Sequence, residues 1–299
     1  MTPLERRYRG FLLAYPRDYR AAHGGELLGL LLDTAPPGRT VPDPREVAGL
    51  VSGGVRARLA AATRRGPAWA DGLHLGATAL TAVQFAALLP YAPAIPLWTA
   101  LSALALLAVM RGRPFLALPL VLLTGAKSVA IAAGTPLFDT TLLPVFPAVL
   151  ADSPLFARTG PVAVAAGYAL AGAALLVLAA RGRRAAPRSW WWAAAVPLAA
   201  WTPAAAPHPL DAGRIALELC LLALAVWASR LTRDPRWSLG AILYLLAASA
   251  TLTPHLQTPA SRHLAYWTLL TALTATAALA ACDAPRAATA LLRRLTTPA

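Results

Sequence analysis

The chain of 299 residues is 58% hydrophobic and only 13% charged, with a mean hydropathy of +0.55. Soluble domains carry about 25% charged residues, whereas apolar segments of about 20 residues, each long enough to cross a bilayer, recur through the last three-quarters of this sequence. The composition therefore excludes an ordinary soluble domain and predicts an all-α polytopic integral membrane protein. The formal net charge of +14 is spread over many short connections, so we attribute it to anionic lipid headgroups rather than to nucleic acid.

Residues 1–70 differ from the rest, because they hold 11 arginines and 6 acidic residues and no stretch long enough to span. Apolar residues at helical spacing predict a first helix, which Pro16 interrupts. This stripe consists of Leu4, Tyr8, Phe11, Leu12 and Tyr15. A second helix is predicted from about Arg17 to Leu32. It is weakest at Gly24-Gly25, where each glycine costs about 1 kcal/mol relative to alanine. The following APPGR (35–39) is typical of a turn.

The third helix has the clearest start in the sequence. Asp43 takes the N-cap position, Pro44 the first helical position and Glu46 the position three residues after the cap, as in a capping box. Its predicted apolar face consists of Val47, Leu50, Val51, Val55 and Leu59. Three short helices in about 60 residues are marginal on their own. The head is therefore expected to dock on the membrane part, on a dimer mate or on another protein. It is either a basic anchor that lies on the cytoplasmic leaflet or an interaction domain, and the apolar stripes do not identify the partner surface.

Four stretches of the head carry a family resemblance: RYRGFLLAYPRDYR, GGELLGLLLD, APPGR and DPREVAGLVSGGVRARL. With them the segment resembles the N-terminus of a group of actinobacterial multi-pass membrane proteins without assigned function. More loosely, the head is similar to a helical prefix of some bacterial ABC-type permeases, through Tyr15, Pro16, Tyr19, Arg20, Gly24 and Glu26. Gly25 departs from that pattern, which has a polar or acidic residue there. Such prefixes accompany PadR-like transcriptional regulators, so the resemblance implies a regulatory setting. It does not extend to the membrane region, and no catalytic residue carries over.

The remainder of the chain predicts about eight spans. They are residues 72–92, 94–110, 114–134, 160–180, 189–206, 211–229, 237–253 and 263–282. The predicted organisation is a cytosolic head over 1–70, a transmembrane bundle over 71–284 and a cytosolic tail over 285–299. Residues 137–150 are apolar but short and broken by two prolines, which favours an outer interfacial or re-entrant segment. The alternative is that this segment crosses the membrane and shifts the topology.

Arginine placement orients these spans. With both termini in the cytoplasm, 23 basic residues fall inside and three arginines outside, which is a strong positive-inside signal. Tryptophans fall at predicted span ends, as in an interfacial aromatic belt. These are Trp69, Trp190, Trp191, Trp192, Trp227 and Trp237 at inner ends and Trp98, Trp201 and Trp267 at outer ends.

One lysine stands inside a predicted span. Lys127 is the only lysine in the sequence, and Glu218 is the only acid inside a span. Both lie about 10 Å from the predicted outer end of their helix at 1.5 Å per residue. Because an unpaired intramembrane charge is costly, we predict a Lys127–Glu218 pair. Its role is left open between a structural pin, a lysine that reaches outward to water, and a substrate or proton pathway.

Further polar residues collect at the predicted outer side and form a candidate outer polar cluster. They are His208, Asp211, Arg214, His255 and His263. Most are expected to be ordinary loop residues, since the histidines lack close metal-ligand spacing. TGAKS (124–128) lacks the G-K-[ST] ending of a phosphate-binding loop. No metal, cofactor or catalytic residue is predicted.

The sequence leaves two principal functional hypotheses. The first is a non-enzymatic signalling or regulatory protein of the bacterial plasma membrane whose head binds a cytoplasmic partner. The second is a transporter or transporter subunit in which Lys127 and Glu218 form the coupling or substrate site. A membrane-embedded enzyme using the outer polar residues is a weaker third. The oligomeric state is left open.

Overall fold

A computed structural model describes residues 2–36, 38–63, 66–135, 137, 160–182, 185–190, 192–193, 196, 212–232, 234–250 and 261–296. Within these residues the regular structure is helical, as predicted, and comprises ten α-helices and one short 3-10 helix. The chain divides into two compact units, Met1–Arg65 and Gly66–Ala299.

The first unit is a small three-helix assembly with its own core. Its helices are α1 (Pro3–Leu12), α2 (Arg17–Asp33) and α3 (Pro44–Thr63). The core consists of Leu4, Tyr8, Leu12, Tyr15 and Leu50, so the predicted apolar stripe of α1 is confirmed. Helix α2 continues through Gly24-Gly25 and places half-buried leucines against this core.

The predicted start of α3 is also confirmed. The Oδ1 atom of Asp43 accepts a hydrogen bond from the backbone N–H of Arg45 at 2.7 Å, and Oε2 of Glu46 accepts one from the N–H of Asp43 at 3.3 Å. These two bonds satisfy backbone donors that a helix start leaves open. The predicted apolar face of α3 is only partly covered, because Leu50 is buried whereas Val51 is 40% exposed.

Two glycines let α3 approach the chain that follows α1. A Cβ on Gly54 would lie 2.6 Å from the Cβ of Ala14, and one on Gly53 would collide with the hydroxyl of Tyr15. One turn further on, the guanidinium of Arg58 donates hydrogen bonds to the carbonyl oxygens of Leu13 and Ala14. Arg58 therefore supplies donors to carbonyl oxygens that follow α1 and have no further helical turn whose N–H groups could donate to them.

The described residues of the second unit form seven α-helices, with the 3-10 helix Leu89–Tyr91 after the first of them. They are α4 (Ala68–Leu88), α5 (Pro96–Met110), α6 (Pro114–Ala132), α7 (Gly160–Ala180), α8 (Ala212–Thr232), α9 (Arg236–Ala250) and α10 (Ser261–Thr296). Five segments of these are long and apolar enough to cross a membrane, which is consistent with a membrane location and with lipid contact. They are Ala68–Tyr91, Pro114–Ala132, Gly160–Ala180, Ile215–Thr232 and His263–Cys282.

The number of spans stays a prediction. Helices α5 and α9 are apolar but have 15 residues each, or about 22 Å at 1.5 Å per residue, against a hydrocarbon thickness of about 30 Å. Of the predicted fifth span, 189–206, only scattered residues are described. The predicted interfacial segment 137–150 lies outside the described residues apart from Leu137.

Close helix packing defines the bundle. Helix α4 packs on α5, α7 and α9, α6 packs on α5 and α7, and α8 packs on α9 and α10. Gly72 and Gly76 on α4 face α9, where a Cβ at either position would collide with Leu239 or Leu243. Such a pair of glycines four residues apart lets two apolar helices approach closely.

The last helix is longer than its predicted span. Helix α10 runs without interruption over 36 residues to Thr296, so most of the predicted tail 285–299 is helical. Its length is about 54 Å at 1.5 Å per residue, which exceeds the hydrocarbon thickness of about 30 Å.

Candidate functional site

Lys127 lies inside the second unit, as its place in an apolar run predicts. It is on α6, five residues before the helix ends at Ala132, and exposes 2% of its surface. Its ammonium donates a hydrogen bond to the carbonyl oxygen of Leu137 at 2.6 Å and stands 5.8 Å from the ring centroid of Trp98, which is 1% exposed. A carbonyl dipole and an aromatic face thus both stabilise this buried cation.

Glu218 is likewise buried within an apolar helix. It lies on α8, is 7% exposed, and accepts a short hydrogen bond from the hydroxyl of Tyr266 on α10. The contacts described for Lys127 and for Glu218 are made with other residues, and their helices pack on different neighbours. The predicted pairing of the two residues stays a prediction.

The candidate outer polar cluster is described only in part. His208, Asp211 and His255 lie outside the described residues, and Arg214 is described only as a member of α8. His263 lies near the start of α10 and is buried at 7% exposure. The joint cluster therefore stays a prediction.

A second set of charged residues, which sequence analysis did not select, forms an ion cluster. The carboxylate of Asp71 in the first turn of α4 contacts Arg188 at 2.7 Å and Arg236 at 2.7 Å. Arg236, at the start of α9, also lies 2.9 Å from Asp234. The backbone of Arg188 donates to the carbonyl oxygen of Met110, at the end of α5. The cluster therefore links α4, α5, α9 and the segment that contains Arg188.

Burial governs the electrostatics of this cluster. The side chain of Arg236 is 4% exposed, and those of Arg188 and Asp71 are 16% and 19% exposed. Burial lowers the pKa of Arg188, while the Asp71 carboxylate acts in the opposite direction. Charges this far from water need opposite charges beside them, and two aspartates contact the two arginines here.

Two cation–aromatic contacts accompany the ion cluster. The guanidinium of Arg181, after α7, lies 5.7 Å from the ring centroid of Trp69, and that of Arg111, after α5, lies 4.9 Å from the ring centroid of Trp190. Together with the ion cluster they bring three arginine-bearing connections of the second unit, which contain Arg111, Arg181 with Arg188, and Arg236, to one end of the bundle. That arrangement is the one the predicted alternation of spans requires of these connections.

A usable signal for the cluster was present in the sequence. Asp71 is the only acid between Glu46 and Asp139, and Asp234 is the only acid in the connection 229–236. An acid among so many arginines is a strong candidate for an ion pair. The sequence could not show which arginines Asp71 would contact, since these partners lie 117 and 165 residues away along the chain.

The head carries a separate feature, an apolar groove between α1 and α3. It has a volume of about 830 Å³ and is lined by Arg7, Gly10, Phe11, Val41, Pro42, Pro44, Val47, Ala48 and Val51. We call it the head groove. Val41 is 56% and Val51 40% exposed, so two of the apolar residues that line the groove are accessible to solvent. The guanidinium of Arg7 donates to the carbonyl oxygen of Thr40 at 3.1 Å, which fixes a cation at the edge of the groove.

A hydrogen-bonded group beside this groove engages the nearby acids. The hydroxyl of the buried Tyr8 donates to Glu46 at 2.6 Å, and Arg39 contacts both Asp43 and Glu46. Burial, and then the bond to the Glu46 carboxylate, raises the pKa of Tyr8 to about 12. The two acids nearest the groove are thus partnered within the head.

A comparison of this chain with protein families, with curated proteins and with solved structures finds no match. The class that the fold itself supports is an all-helical protein with at least five membrane-compatible helices and a separate N-terminal helical unit.

Proposed function

We propose that this protein is a non-enzymatic signalling or regulatory protein of the bacterial plasma membrane whose cytoplasmic N-terminal head binds a protein partner. The observation that carries the proposal is the head itself. It is a compact unit with its own core, yet it leaves large apolar residues exposed. These include Leu13 at 57%, Leu30 at 62% and Val41 at 56%.

Energetics support a partner for this head. A unit of about 60 residues buries too little surface for more than marginal stability. Its exposed leucines and valines keep apolar surface in water, and a partner that covers them would gain the free energy of burying that surface. The cytoplasmic placement is supported by the positive-inside distribution of arginine. The grouping of arginine-bearing connections at one end of the bundle agrees with it. The resemblance of the head to permease prefixes points to the same setting.

Site-specific photo-crosslinking in native membranes tests the proposal. A photoreactive phenylalanine is placed singly at Val51, Arg17 or Arg56 of the full chain, all of which are exposed on the head. The control position is Leu122, which is 54% exposed within a candidate span. We expect a discrete protein adduct from at least one head position and none of that mass from Leu122. If all three head positions yield no protein adduct, the proposal is wrong.

One observation favours the alternative of a transporter or transporter subunit. A lysine with 2% exposure in a helix able to span a membrane is costly, and such residues often mark substrate or ion pathways. Uptake screening in proteoliposomes tests this function, with Lys127→Met and Glu218→Gln as variants. A flux that survives both substitutions, in variants that reconstitute normally, would exclude these residues as the pathway.

A further inference from the structure

We propose that the head groove binds an acidic amphipathic helix of the partner protein. The inference rests on the proposed function and adds the site on the head and the chemistry of the segment that fills it. In helix-in-groove recognition the apolar face of one helix enters a groove between two others.

The shape of the groove matches a helix face. Phe11 lies on its α1 side, Val47 and Val51 lie on its α3 side, and Gly10 leaves the α1 wall open. A volume of about 830 Å³ accommodates several aliphatic side chains, since ligand sites span about 300–1,000 Å³. Val47 and Val51 are one helical turn apart, so they present a continuous apolar strip.

Charge selects an acidic occupant. Arg7 lines the groove, and Arg45 is exposed on α3 between the lining residues Pro44 and Val47. The neighbouring acids Asp43 and Glu46 are held by Arg39 and Tyr8. Arg39 offsets one of these two carboxylates, and Arg7 and Arg45 exceed the other by one positive charge, which favours acidic over basic segments at that edge.

The two-sided lining of the groove favours a protein segment over a lipid surface. The groove is shallow and open, and its apolar residues Phe11 and Val47 come from two different helices. A bilayer surface instead receives the convex apolar face of a helix that lies along it. Anionic vesicles are therefore the competing occupant that the experiment includes.

A pair of glycine substitutions provides the sharpest test. A Cβ at Gly10 or at Gly25 would have nothing within 4 Å, so a leucine side chain starts in open space at both positions and improves helix propensity at both. Gly10→Leu places a side chain in the groove, whereas Gly25→Leu makes the same change on α2, outside the groove lining. Loss of binding in Gly10→Leu alone is thus not explained by loss of fold.

The probe is a labelled 18-residue helix with a leucine face and glutamates elsewhere, added to the full chain in neutral-lipid nanodiscs. A matched peptide has lysine in place of every glutamate. We expect the acidic peptide to bind, Gly10→Leu to weaken it by about tenfold or more, and Gly25→Leu to leave its affinity within about twofold of wild type. Arg7→Glu is expected to weaken it similarly, with Arg17→Glu as the control at an exposed site outside the groove.

Three results would overturn the inference: no binding of the acidic peptide, equal binding of the lysine peptide, or equal affinities for Gly10→Leu and Gly25→Leu. Vesicles rich in phosphatidylglycerol that bind wild type and are rejected by Gly10→Leu would assign the groove to lipid, and the inference would again be wrong. If the groove experiment fails, the crosslinking experiment still tests the proposed function. Crosslinks from Arg17 or Arg56 without one from Val51 would support a partner that binds elsewhere on the head.

Discussion

Replacement of Asp71 by asparagine tests the ion cluster most directly. The substitution keeps the size of the side chain and removes the one carboxylate that contacts both Arg188 and Arg236, each at 2.7 Å. Arg236 retains Asp234 at 2.9 Å, whereas the side chain of Arg188 keeps only its bond to the backbone carbonyl of residue 71 at 2.8 Å among the contacts described for it.

The cost follows from burial. Removing one partner of a buried ion pair costs about 3–5 kcal/mol. Because Arg236 keeps a second carboxylate, and Asp71 and Arg188 retain some contact with water, we expect the lower end, about 3 kcal/mol. For a unit of this size that free energy corresponds to a decrease in Tm of about 6–12 °C.

Thermal unfolding in detergent, followed by size-exclusion chromatography, measures this change. Asp33→Asn, the same substitution at an exposed position of the head, is the control and is expected to shift Tm by less than about 2 °C. A double-mutant cycle with Arg188→Gln isolates the pair and should give a coupling energy of about 1–3 kcal/mol. A Tm for Asp71→Asn equal to that of the control would refute the reasoning, because it would mean that the cluster is solvated and energetically neutral.

Three further predictions concern the head and one tight connection. Tyr8→Phe should lower the stability of the head by about 1.5–3 kcal/mol, the range for a hydrogen bond to a charged group, as measured by amide hydrogen exchange in the full chain. Because the pKa of Tyr8 is raised to about 12, its contribution is complete below about pH 10, the pKa of an unfolded tyrosine. The contribution is lost as the pH rises towards 12, so the alkaline decline in protection should be smaller in Tyr8→Phe. Gly54→Ala should lower the stability of the head by about 1–3 kcal/mol through overpacking against Ala14. The control Gly49→Ala, whose Cβ would have nothing within 4 Å, should stabilise the head. Equal amide exchange rates in the two variants would contradict the close contact between Gly54 and Ala14. Gly112→Ala should lower Tm in detergent, because Gly112 has φ +66 and a Cβ there would collide with the carbonyl oxygen of Ala185; an unchanged Tm would show that this connection is not packed as described.

Local signals in the sequence were sufficient for much of the helical structure. The start of α3 was predicted because Asp43, Pro44 and Glu46 act on backbone groups within one turn. The buried stripe of α1 was predicted because helical periodicity sets which residues share a face. The burial of Lys127 followed in the same way from its place in a long apolar run.

These local signals do not predict contacts between segments that are distant along the chain. Val51 belongs to the periodic apolar face of α3 yet is 40% exposed, because the width of a buried face depends on what packs against it. The partners of Lys127, the Leu137 carbonyl and the Trp98 ring, depend on how α5 and α6 are placed. Asp71 could be recognised as an isolated acid, but the choice of Arg188 and Arg236 depends on the three-dimensional arrangement of the helices.

The wide separation of the Asp71 partners along the chain has a consequence for biogenesis. A ribosome that has just completed α4 at Leu88 has still to synthesise about a hundred residues to reach Arg188, and nearly fifty more to reach Arg236. Until then the nascent chain carries this carboxylate without the two cations that contact it in the folded bundle. The complete ion cluster therefore forms only after α9 has begun to be synthesised, and a polypeptide released before α9 would lack Arg236 and its contact with Asp71.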